Sequence, residues 1–506
     1  MENKKKYFFR NVIKGNIEIV KRLISEDVEL LNQKIKNMTA LMIASEKGNN
    51  EMVNLLIEEG ADVNFRSDDR FTALMYACTA GNDIIIKNLI EKGADLNIKN
   101  IYGDNALILA SAYEKCNNET VNFLIEKGAN VNEKDKNGNT LLMIAAEKCY
   151  NKSVNFLIAA KANVNEKNNE GKTALLISSD KSTKTNYNEN IKNLIEAKAD
   201  VNEKDNKGET ALMIAAKKDC DIDINFLIEA KADVNEKDKY GYTALFLAGQ
   251  KCYTEIVKNL LKAGANVNEK NIHGKTILMN SFNIEMINIL TDTGAKVDEK
   301  DNEGKTALMF ASCSNTSGPV KILIEKGANV NEKDNNGKTA LMFASSCSII
   351  YNESTPLIGS SKFNNNEIVN ILIEKGANVN EKDKKGNTSL MLAASSHFSN
   401  NEIVNILIEK GANVNQQNNE GNTALMLSND SEIVQLLINS GTDIDIQNIY
   451  RETIYELKNN NPKILEIIKL NKEFQYLDII YNIINHDFDL VIEPPLNIIY
   501  SYLLRK

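Results

Sequence analysis

The stretch LIEKGANVNEKD occurs three times in this chain, at Leu124–Asp135, Leu323–Asp334 and Leu372–Asp383. Each copy is followed by two polar residues, a glycine and, two positions later, a threonine. A chain that repeats one stretch builds one structural module several times, and each module presents the same surface to the next. The rest of the chain is therefore expected to follow the same period.

A threonine opens a tetrad similar to Thr-Ala-Leu-Met through most of the chain. Most successive tetrads are 33 residues apart, and the other steps are 30, 35, 37 and 49 residues. The tetrads begin at Thr39, Thr72, Thr140, Thr173, Thr210, Thr243, Thr276, Thr306, Thr339, Thr388 and Thr423, with Asn105 and Thr453 in equivalent places. This regularity over residues 39–453 indicates one repeat array rather than about three separate domains.

Each module reads as two short helices and a connector. In the module that begins at Thr39, the threonine is a good N-cap for a helix over Ala40–Ala44, which a Gly-Asn pair ends. Residues Glu51–Ile57 read as a second, amphipathic helix, and Gly60 ends it where a left-handed residue is common. An extended, turned connector follows. One such pair cannot bury both apolar faces, so stacked neighbours have to complete the core.

This pattern resembles the ankyrin repeat family, whose motif runs D-x-x-G-x-T-P-L-H, two helices and then G-A-D/N-V-N. In one module the matching residues are Asp238, Gly241, Thr243, Ala244, Leu245, Gly264, Ala265, Val267 and Asn268. The resemblance spans about thirteen modules, although Ala replaces the Pro and Met usually replaces the His. It implies an all-α solenoid of stacked helix-turn-helix repeats with β-hairpin-like connectors.

Five residues replace glycines that the motif requires. Lys161, Lys198 and Lys231 stand where glycine should end the second helix, and Arg70 and Arg451 replace the turn glycine. A left-handed backbone costs a residue other than glycine roughly 1–2 kcal/mol. We expect the lysine modules to be strained and the two arginine modules to be atypical, as terminal modules often are.

The sequence predicts three regions. Residues 1–38 read as an N-terminal capping helix pair, residues 39–470 as the repeat array with an insertion near 348–363, and residues 471–506 as a C-terminal helical cap. The insertion is either a surface loop or a binding arm. Pro495–Leu503 is similar to the short F-box-like segment with which some viral ankyrin proteins recruit ubiquitin ligases, although a hydrophobic cap is the favoured interpretation.

The composition argues against several classes of function. The net charge of -9 disfavours a nucleic-acid-binding protein, and the only basic run is Lys4–Lys6. No secretory signal or membrane-spanning stretch is visible, and the seven cysteines form no CxxC pair. We expect a monomeric cytoplasmic protein, and delivery into a host cell stays open. We attribute the abundance of asparagine to the base composition of the genome.

No group of residues has the spacing of a catalytic or metal site. The histidines, His273, His397 and His486, lie in different modules, and cysteines occur about once per module, which predicts small half-buried filler rather than zinc ligands. Recurrent pairs such as Glu133-Lys134 and Glu332-Lys333 predict a solvated charge ladder. We therefore expect neither catalysis nor a cofactor or metal.

The resemblance implies that partners dock on the concave face, which connector tips and first helices form. The tips of the middle modules are uniformly polar, and aromatic side chains interrupt them in two groups. One group is Phe71, Tyr102 and Tyr113, and the other is Tyr240, Tyr242, Tyr253, His273 and Phe282. Exposed aromatic residues are frequent interface hot spots, but each of these could instead pack on its own module.

We therefore predict a non-catalytic scaffold that binds one or more protein partners, and neither nucleic acid, membrane nor small molecules. Two alternatives stay open at this stage. The array could be a passive structural spacer, or it could be an adaptor that recruits a ubiquitin ligase through its C-terminal segment.

Overall fold

A computed structural model of the chain describes residues 2–112, 118–182, 189–314, 316–346, 365–396, 400–459 and 461–473. Contacts between residues divide the chain into two compact units, Met1–Asn266 and Val267–Lys506, which we name the N-terminal unit and the C-terminal unit. Within each unit, pairs of short helices succeed one another at the period of the sequence. The prediction of an all-α repeat solenoid is confirmed.

The N-terminal unit begins with a helix pair, Glu2–Lys14 and Ile17–Glu26, and a 3₁₀-helix at Val28–Asn32. The two α-helices pack on each other, with Phe8 and Val20 fully buried between apolar neighbours. This pair corresponds to the predicted capping helices, while the domain boundaries at residues 38 and 470 stay predictions.

Seven modules follow in the N-terminal unit, and the first helices of successive modules pack side by side. These first helices are Ala40–Lys47, Ala73–Ala80, Ala106–Ala112, Leu141–Glu147, Ala174–Lys181, Ala211–Ala216 and Ala244–Gln250. The second helices are Asn50–Glu58, Asp83–Glu91, Asn118–Glu126, Asn151–Ala159, Asn190–Glu196, Asp221–Glu229 and Thr254–Lys262. The core is the apolar layer between the two rows.

The C-terminal unit has the same organisation. Its first helices are the 3₁₀-helix Ile277–Asn280 and the α-helices Ala307–Ala311, Ala340–Ser346, Ser389–Ala394, Ala424–Leu427 and Ile454–Leu457. Its second helices are Ile284–Asp292, Ser317–Glu325, Asn366–Glu374, Asn401–Glu409 and Ser431–Asn439, and a further helix covers 462–473.

The tetrad closes the start of the first helix with two hydrogen bonds. The Thr39 hydroxyl accepts from the backbone N–H of Met42, and the Met42 sulfur accepts from the N–H of Thr39, both at 3.3 Å. The same exchange joins Thr140 and Met143 at 3.4 Å. The methionine that replaces the histidine of the motif therefore supplies a second, weak cap within its own module.

The connectors are tight turns held by one carboxylate. Asp135 Oδ1 accepts from the N–H groups of Asn137 and Asn139, at 2.8 Å each. Gly138 has φ 78°, and a β-carbon added there would lie 2.6 Å from Asn169 Oδ1 of the next module. Glycine is therefore needed for the backbone conformation and for the close approach of the next turn.

The hairpin-like character of the connectors is limited to these turns. Isolated antiparallel bridges join Ile35 with Met38 and Lys134 with Thr140. No longer strand forms in the part of the chain that the structure describes.

Asparagine side chains link successive modules. The Asn331 side chain donates to the Gly376 carbonyl at 3.0 Å and accepts from the Asn378 N–H at 2.9 Å. Asn235 makes the same pair of bonds to the following module, at 3.2 and 2.7 Å. The abundance of asparagine therefore has a structural use, which base composition alone does not explain.

The predicted charge ladder is confirmed, and its ion pairs join one module to the next. Lys134 Nζ lies 2.7 Å from Glu166, and Lys300 Nζ lies 2.7 Å from Glu332. Each lysine also donates to a backbone carbonyl of the next module. The hydrogen bond from the lysine lowers the pKa of the Glu166 and Glu332 carboxyls. The other rungs are Lys99–Glu133, Lys167–Glu203, Lys204–Glu236, Lys270–Glu299 and Lys333–Glu381.

The left-handed backbone predicted at the three lysines is confirmed, and the two arginines that replace the turn glycine have the same conformation. The φ angles lie between 61° and 68° at Lys161, Lys198, Lys231, Arg70 and Arg451. The sequence analysis missed three further positions of this kind, which end or follow first helices: Cys149, Asp219 and Cys252, at φ 57° to 59°.

Candidate functional site

The candidate site is the surface formed by the turns and the exposed sides of the first helices, which we name the tip face. The turn before Thr243 illustrates how the fold presents it. Asp238 is 9% exposed, and its Oδ1 accepts from the N–H groups of Tyr240 and Tyr242 at 2.8 Å each. These bonds fix the backbone at both tyrosines. The Tyr240 ring points away from the module, and the Tyr242 ring packs on it.

Hydrogen bonds between turns keep neighbouring tips in register. The Lys239 N–H donates to the Lys207 carbonyl at 3.0 Å in the N-terminal unit, and the Asn335 N–H donates to the Glu303 carbonyl at 2.9 Å in the C-terminal unit. Where the first tip residue is asparagine, as at Asn335, its side chain adds a second bond to the preceding turn. The tip face therefore has a backbone that is fixed before any partner arrives.

The first predicted group divides into a packed and an exposed residue. The Phe71 ring packs on Tyr76 of the first helix, with ring centroids 5.3 Å apart. Tyr102 belongs to the next turn and is 47% exposed, and Lys136 Nζ lies 5.0 Å from its ring centroid. The third member, Tyr113, lies outside the described residues.

The second predicted group is shared between the two units. In the N-terminal unit, Tyr240 is 57% exposed, whereas the half-buried Tyr242 ring packs 4.9 Å from that of Phe246. Tyr253 is half-buried and precedes the helix Thr254–Lys262 as its N-cap residue.

In the C-terminal unit, His273 and Phe282 are both exposed. His273 lies at a turn tip, where its N–H donates to Asn271 Oδ1 at 2.9 Å and its carbonyl accepts from the Asn302 N–H at 3.0 Å. Phe282 follows the 3₁₀-helix of the same module. All eight residues stay candidates for partner binding.

The sequence analysis missed a row of lysine and phenylalanine side chains in the C-terminal unit. Lys275 Nζ lies 4.6 Å from the Phe310 ring centroid, and Lys305 Nζ lies 6.0 Å from Phe310 and 5.8 Å from Phe343. Lys338 Nζ follows at 6.0 Å from Phe343. We name these five residues the lysine–phenylalanine strip. A Gly-Lys-Thr triplet in three successive modules, with Phe four residues after the last two threonines, is the sequence signal that could have revealed it.

A second missed feature is the last described turn of the C-terminal unit. Ile449 and Tyr450 occupy its tip and are 61% and 69% exposed. The Asn-Ile-Tyr sequence here repeats that of the tip at Ile101 and Tyr102 in the N-terminal unit. Comparison of the tips module by module would have identified it.

The cysteines correspond only in part to the predicted filler. Cys78 and Cys220 are buried and Cys313 is half-buried, but Cys149 and Cys252 are exposed because each lies in the left-handed turn after a first helix. Burial raises the pKa of the Cys220 thiol to about 11, which suits packing and not nucleophilic attack. Among the described residues, no three His, Cys, Asp or Glu side chains are grouped closely enough to hold a metal ion.

Several predicted features fall on residues that the structure does not describe. They are His397, His486, Cys116, Cys347, the insertion at 348–363, Pro495–Leu503 and most of the region 471–506. In the described part of the chain, no helix combines the length and the apolar character that crossing a membrane requires.

A family model described as ankyrin repeats (3 copies) matches residues 8–100, 107–205, 181–271, 276–351 and 357–448. These matches cover most of the chain, and they include the modules of both units. No curated protein matched the chain.

Proposed function

This chain belongs to the ankyrin repeat family, and we propose that it binds a protein partner through the tip face without catalysing a reaction. Ankyrin repeats are in general protein–protein interaction modules. The observation that carries the proposal is the exposure of Tyr102 and Tyr240 on turns that are already fixed by hydrogen bonds.

Fixed exposed aromatic residues favour binding for two reasons. A tyrosine offers a large contact area and loses little conformational entropy, which is why tyrosine is common at interface hot spots. Binding also loses little backbone conformational entropy, because the Asn100 and Asp238 side chains already fix the two turns in the free protein. Phe71 and Tyr242, which pack on their own first helices, are expected to support the face rather than to provide most of the binding energy.

Site-specific photo-crosslinking tests the proposal. A photoreactive phenylalanine analogue replaces Tyr102 or Tyr240 in the full chain, and Ile222 serves as the control position. Ile222 is 46% exposed but lies on the second helix Asp221–Glu229. We expect a discrete adduct with one cellular protein from the two tip positions and none from Ile222.

The opposite pattern would assign the binding role elsewhere. Adducts from Ile222 alone would place the partner on the second helices. The absence of adducts from every position, in cells that express the chain naturally, would favour the passive spacer.

A further inference from the structure

The lysine–phenylalanine strip runs through three successive modules of the C-terminal unit. Each lysine follows a turn glycine. Each phenylalanine lies four residues after the threonine that opens its own module, Thr306 or Thr339. The order along the strip is therefore Lys275, Phe310, Lys305, Phe343 and Lys338, with each ring contacted by an ammonium group on either side. The strip belongs to the tip face.

Within the described residues, two of the three ammonium groups form no ion pair, although the Glu303 carboxylate interacts with Lys275 at longer range. Lys305 pairs with Glu303 at 2.5 Å, but within the described residues no carboxylate lies within 4.0 Å of Lys275 or Lys338 Nζ. The turn carboxylates Asp301 and Asp334 are 8% and 6% exposed, and each is occupied by two backbone N–H groups. The cations are thus held in place by the rings and are open to an external anion.

The equivalent positions of the N-terminal unit do not form such a strip. The residues after the turn glycine, or after the arginine that replaces it, are there Phe71, Asp104, Asn139, Lys172, Glu209 and Tyr242. The single lysine, Lys172, pairs with Glu170 at 2.8 Å. The strip is therefore a property of these modules and not of the repeat in general.

We propose that the lysine–phenylalanine strip binds an extended acidic segment of a partner protein, with a carboxylate at about every third residue. The proposal rests on the proposed function and specifies the chemistry of the partner. Neighbouring helices pack about 8–10 Å apart, so the three ammonium groups recur at about that interval. A segment in the polyproline II conformation advances about 3.1 Å per residue with three residues per turn, which places every third side chain on one side and brings it to the next lysine.

An acidic peptide fits the strip better than a single-stranded nucleic acid. Bases stack on exposed aromatic faces, whereas Phe343 is only 8% exposed and the rings are flanked by lysines. A net charge of -9 would also repel a long polyanion, while a short acidic segment can be attracted by a local cationic strip.

A designed peptide tests the proposal directly. The probe is a fluorescent peptide of about four Glu-Pro-Thr repeats, because a polyproline II helix has three residues per turn and places every glutamate on one side. Fluorescence anisotropy measures its binding to the full-length chain at low salt. The Lys275→Glu, Lys338→Glu double variant should weaken binding by at least about tenfold. The matched control Lys172→Glu should change it by less than about twofold.

A gain-of-function variant guards against loss through misfolding. Glu303→Gln removes the carboxylate that neutralises Lys305 and should tighten binding by about twofold to fivefold. Circular dichroism should give the same helicity for all variants, since both unpaired lysines are half-exposed.

Several results would overturn the proposal. They are no binding of the peptide below about 1 mM, an equal loss in Lys172→Glu, and equal affinity for a peptide of the same composition with its glutamates clustered. Tighter, strip-dependent binding of a single-stranded oligothymidine would assign the strip to nucleic acid instead. Photo-crosslinked adducts at Tyr102 or Tyr240 without peptide binding would leave the proposed function standing and remove this proposal alone.

Discussion

The two units differ at the position four residues before the buried leucine of the second helix, which faces the interior of the stack. In the C-terminal unit this position is apolar and buried in every module: Met286, Pro319, Ile368, Ile403 and Ile433. In the N-terminal unit four successive modules have a polar residue there: Thr120, Ser153, Asn190 and Asp223. Asp223 is the extreme case, because its carboxyl group is fully buried and its polar neighbours are the small side chains of Ser182 and Cys220.

The units also differ in backbone strain. In the described part of the C-terminal unit, Arg451 is the one residue other than glycine with positive φ. In the N-terminal unit such residues are Lys36, Asn37, Arg70, Cys149, Lys161, Lys198, Asp219, Lys231 and Cys252. A left-handed residue other than glycine costs roughly 1–2 kcal/mol, so these departures together are expected to lower the stability of the N-terminal unit.

The comparison shows that a repeat array tolerates local faults. Each module is held by its neighbours, so a polar residue or a strained turn in one module is offset by contacts in the next. The C-terminal unit is regular inside and distinctive outside, since its lysine–phenylalanine strip has no counterpart in the N-terminal unit. The N-terminal unit therefore departs from the regular repeat in its interior, and the C-terminal unit departs from it on its surface.

The largest change in stability is expected when Asp223 of the N-terminal unit is replaced by isoleucine, the residue that three modules of the C-terminal unit have at this position. Asp223→Ile should raise the free energy of unfolding at about pH 8 by about 2 kcal/mol or more, because an apolar side chain replaces a fully buried carboxyl group. Urea unfolding measures the change, and hydrogen exchange should locate the added protection in the helix Asp221–Glu229. The isosteric Asp223→Asn controls for volume and should give a smaller gain.

The same variant has a defined pH dependence. Burial raises the pKa of the Asp223 carboxyl above its ordinary 3.8. A raised pKa means that the folded state holds the proton more tightly, so this contribution to stability is full below about 3.8 and is lost as the pH rises through the folded value. The advantage of Asp223→Ile over the wild type should therefore grow from about pH 4 to pH 8. An advantage that stays constant over this range would contradict the assignment.

A smaller effect is expected from exchanging the helix-ending residues of the two units. Lys198→Gly should raise the free energy of unfolding by roughly 1–2 kcal/mol, because Lys198 has φ 64° and glycine adopts that conformation without strain. Gly327→Lys should lower it by a similar amount, since Gly327 has φ 94° and open space where a side chain would begin. Thermal unfolding gives both signs, and a gain from Gly327→Lys would refute the strain argument.

The smallest effect is expected where the units agree. Lys134→Gln and Lys300→Gln should each cost less than about 1 kcal/mol, because both ladder pairs are half-exposed. The costs should be equal in the two units and should shrink in about 1 M NaCl. Double-mutant cycles with Glu166→Gln and Glu332→Gln isolate the pair, and unequal coupling would show that the two ladders differ.

The ladder responds to acid in the direction opposite to Asp223. The lysine hydrogen bonds lower the pKa of the Glu166 and Glu332 carboxyls from 4.5. Their stabilising contribution is present above about 4.5 and is lost as the pH falls through the lowered folded values. The cost of Lys134→Gln should accordingly shrink as the pH falls below 4.5, and the part due to the lysine's bond to the Lys167 carbonyl should stay.

Much of the fold was predictable because the repeat is visible in the sequence as tetrads that recur mostly every 33 residues. The threonine caps, the Gly60-type helix ends and the left-handed lysines all follow from local rules that depend on a few neighbouring residues. The exposure of Cys149 and Cys252 was not predicted, because the left-handed turns at these residues have no glycine to signal them.

The candidate site was less predictable than the fold. The sequence marked Tyr102 and Phe71 equally, yet one ring is exposed and the other packs on Tyr76. In the sequence, the lysines of the strip could not be distinguished from other polar tip residues, because the phenylalanines that they contact belong to the following module. The eight aromatic and histidine candidates stay predictions until a partner is identified.

The amino-acid order alone set the period, the helix pairs and the turns of this protein, since those depend on contacts between residues that are close along the chain. Which tyrosines reach solvent, which lysines lack a carboxylate and which asparagines join two modules depend on residues about thirty positions apart. Such contacts form only when one module is stacked on the next, so the surface available to a partner was decided by packing.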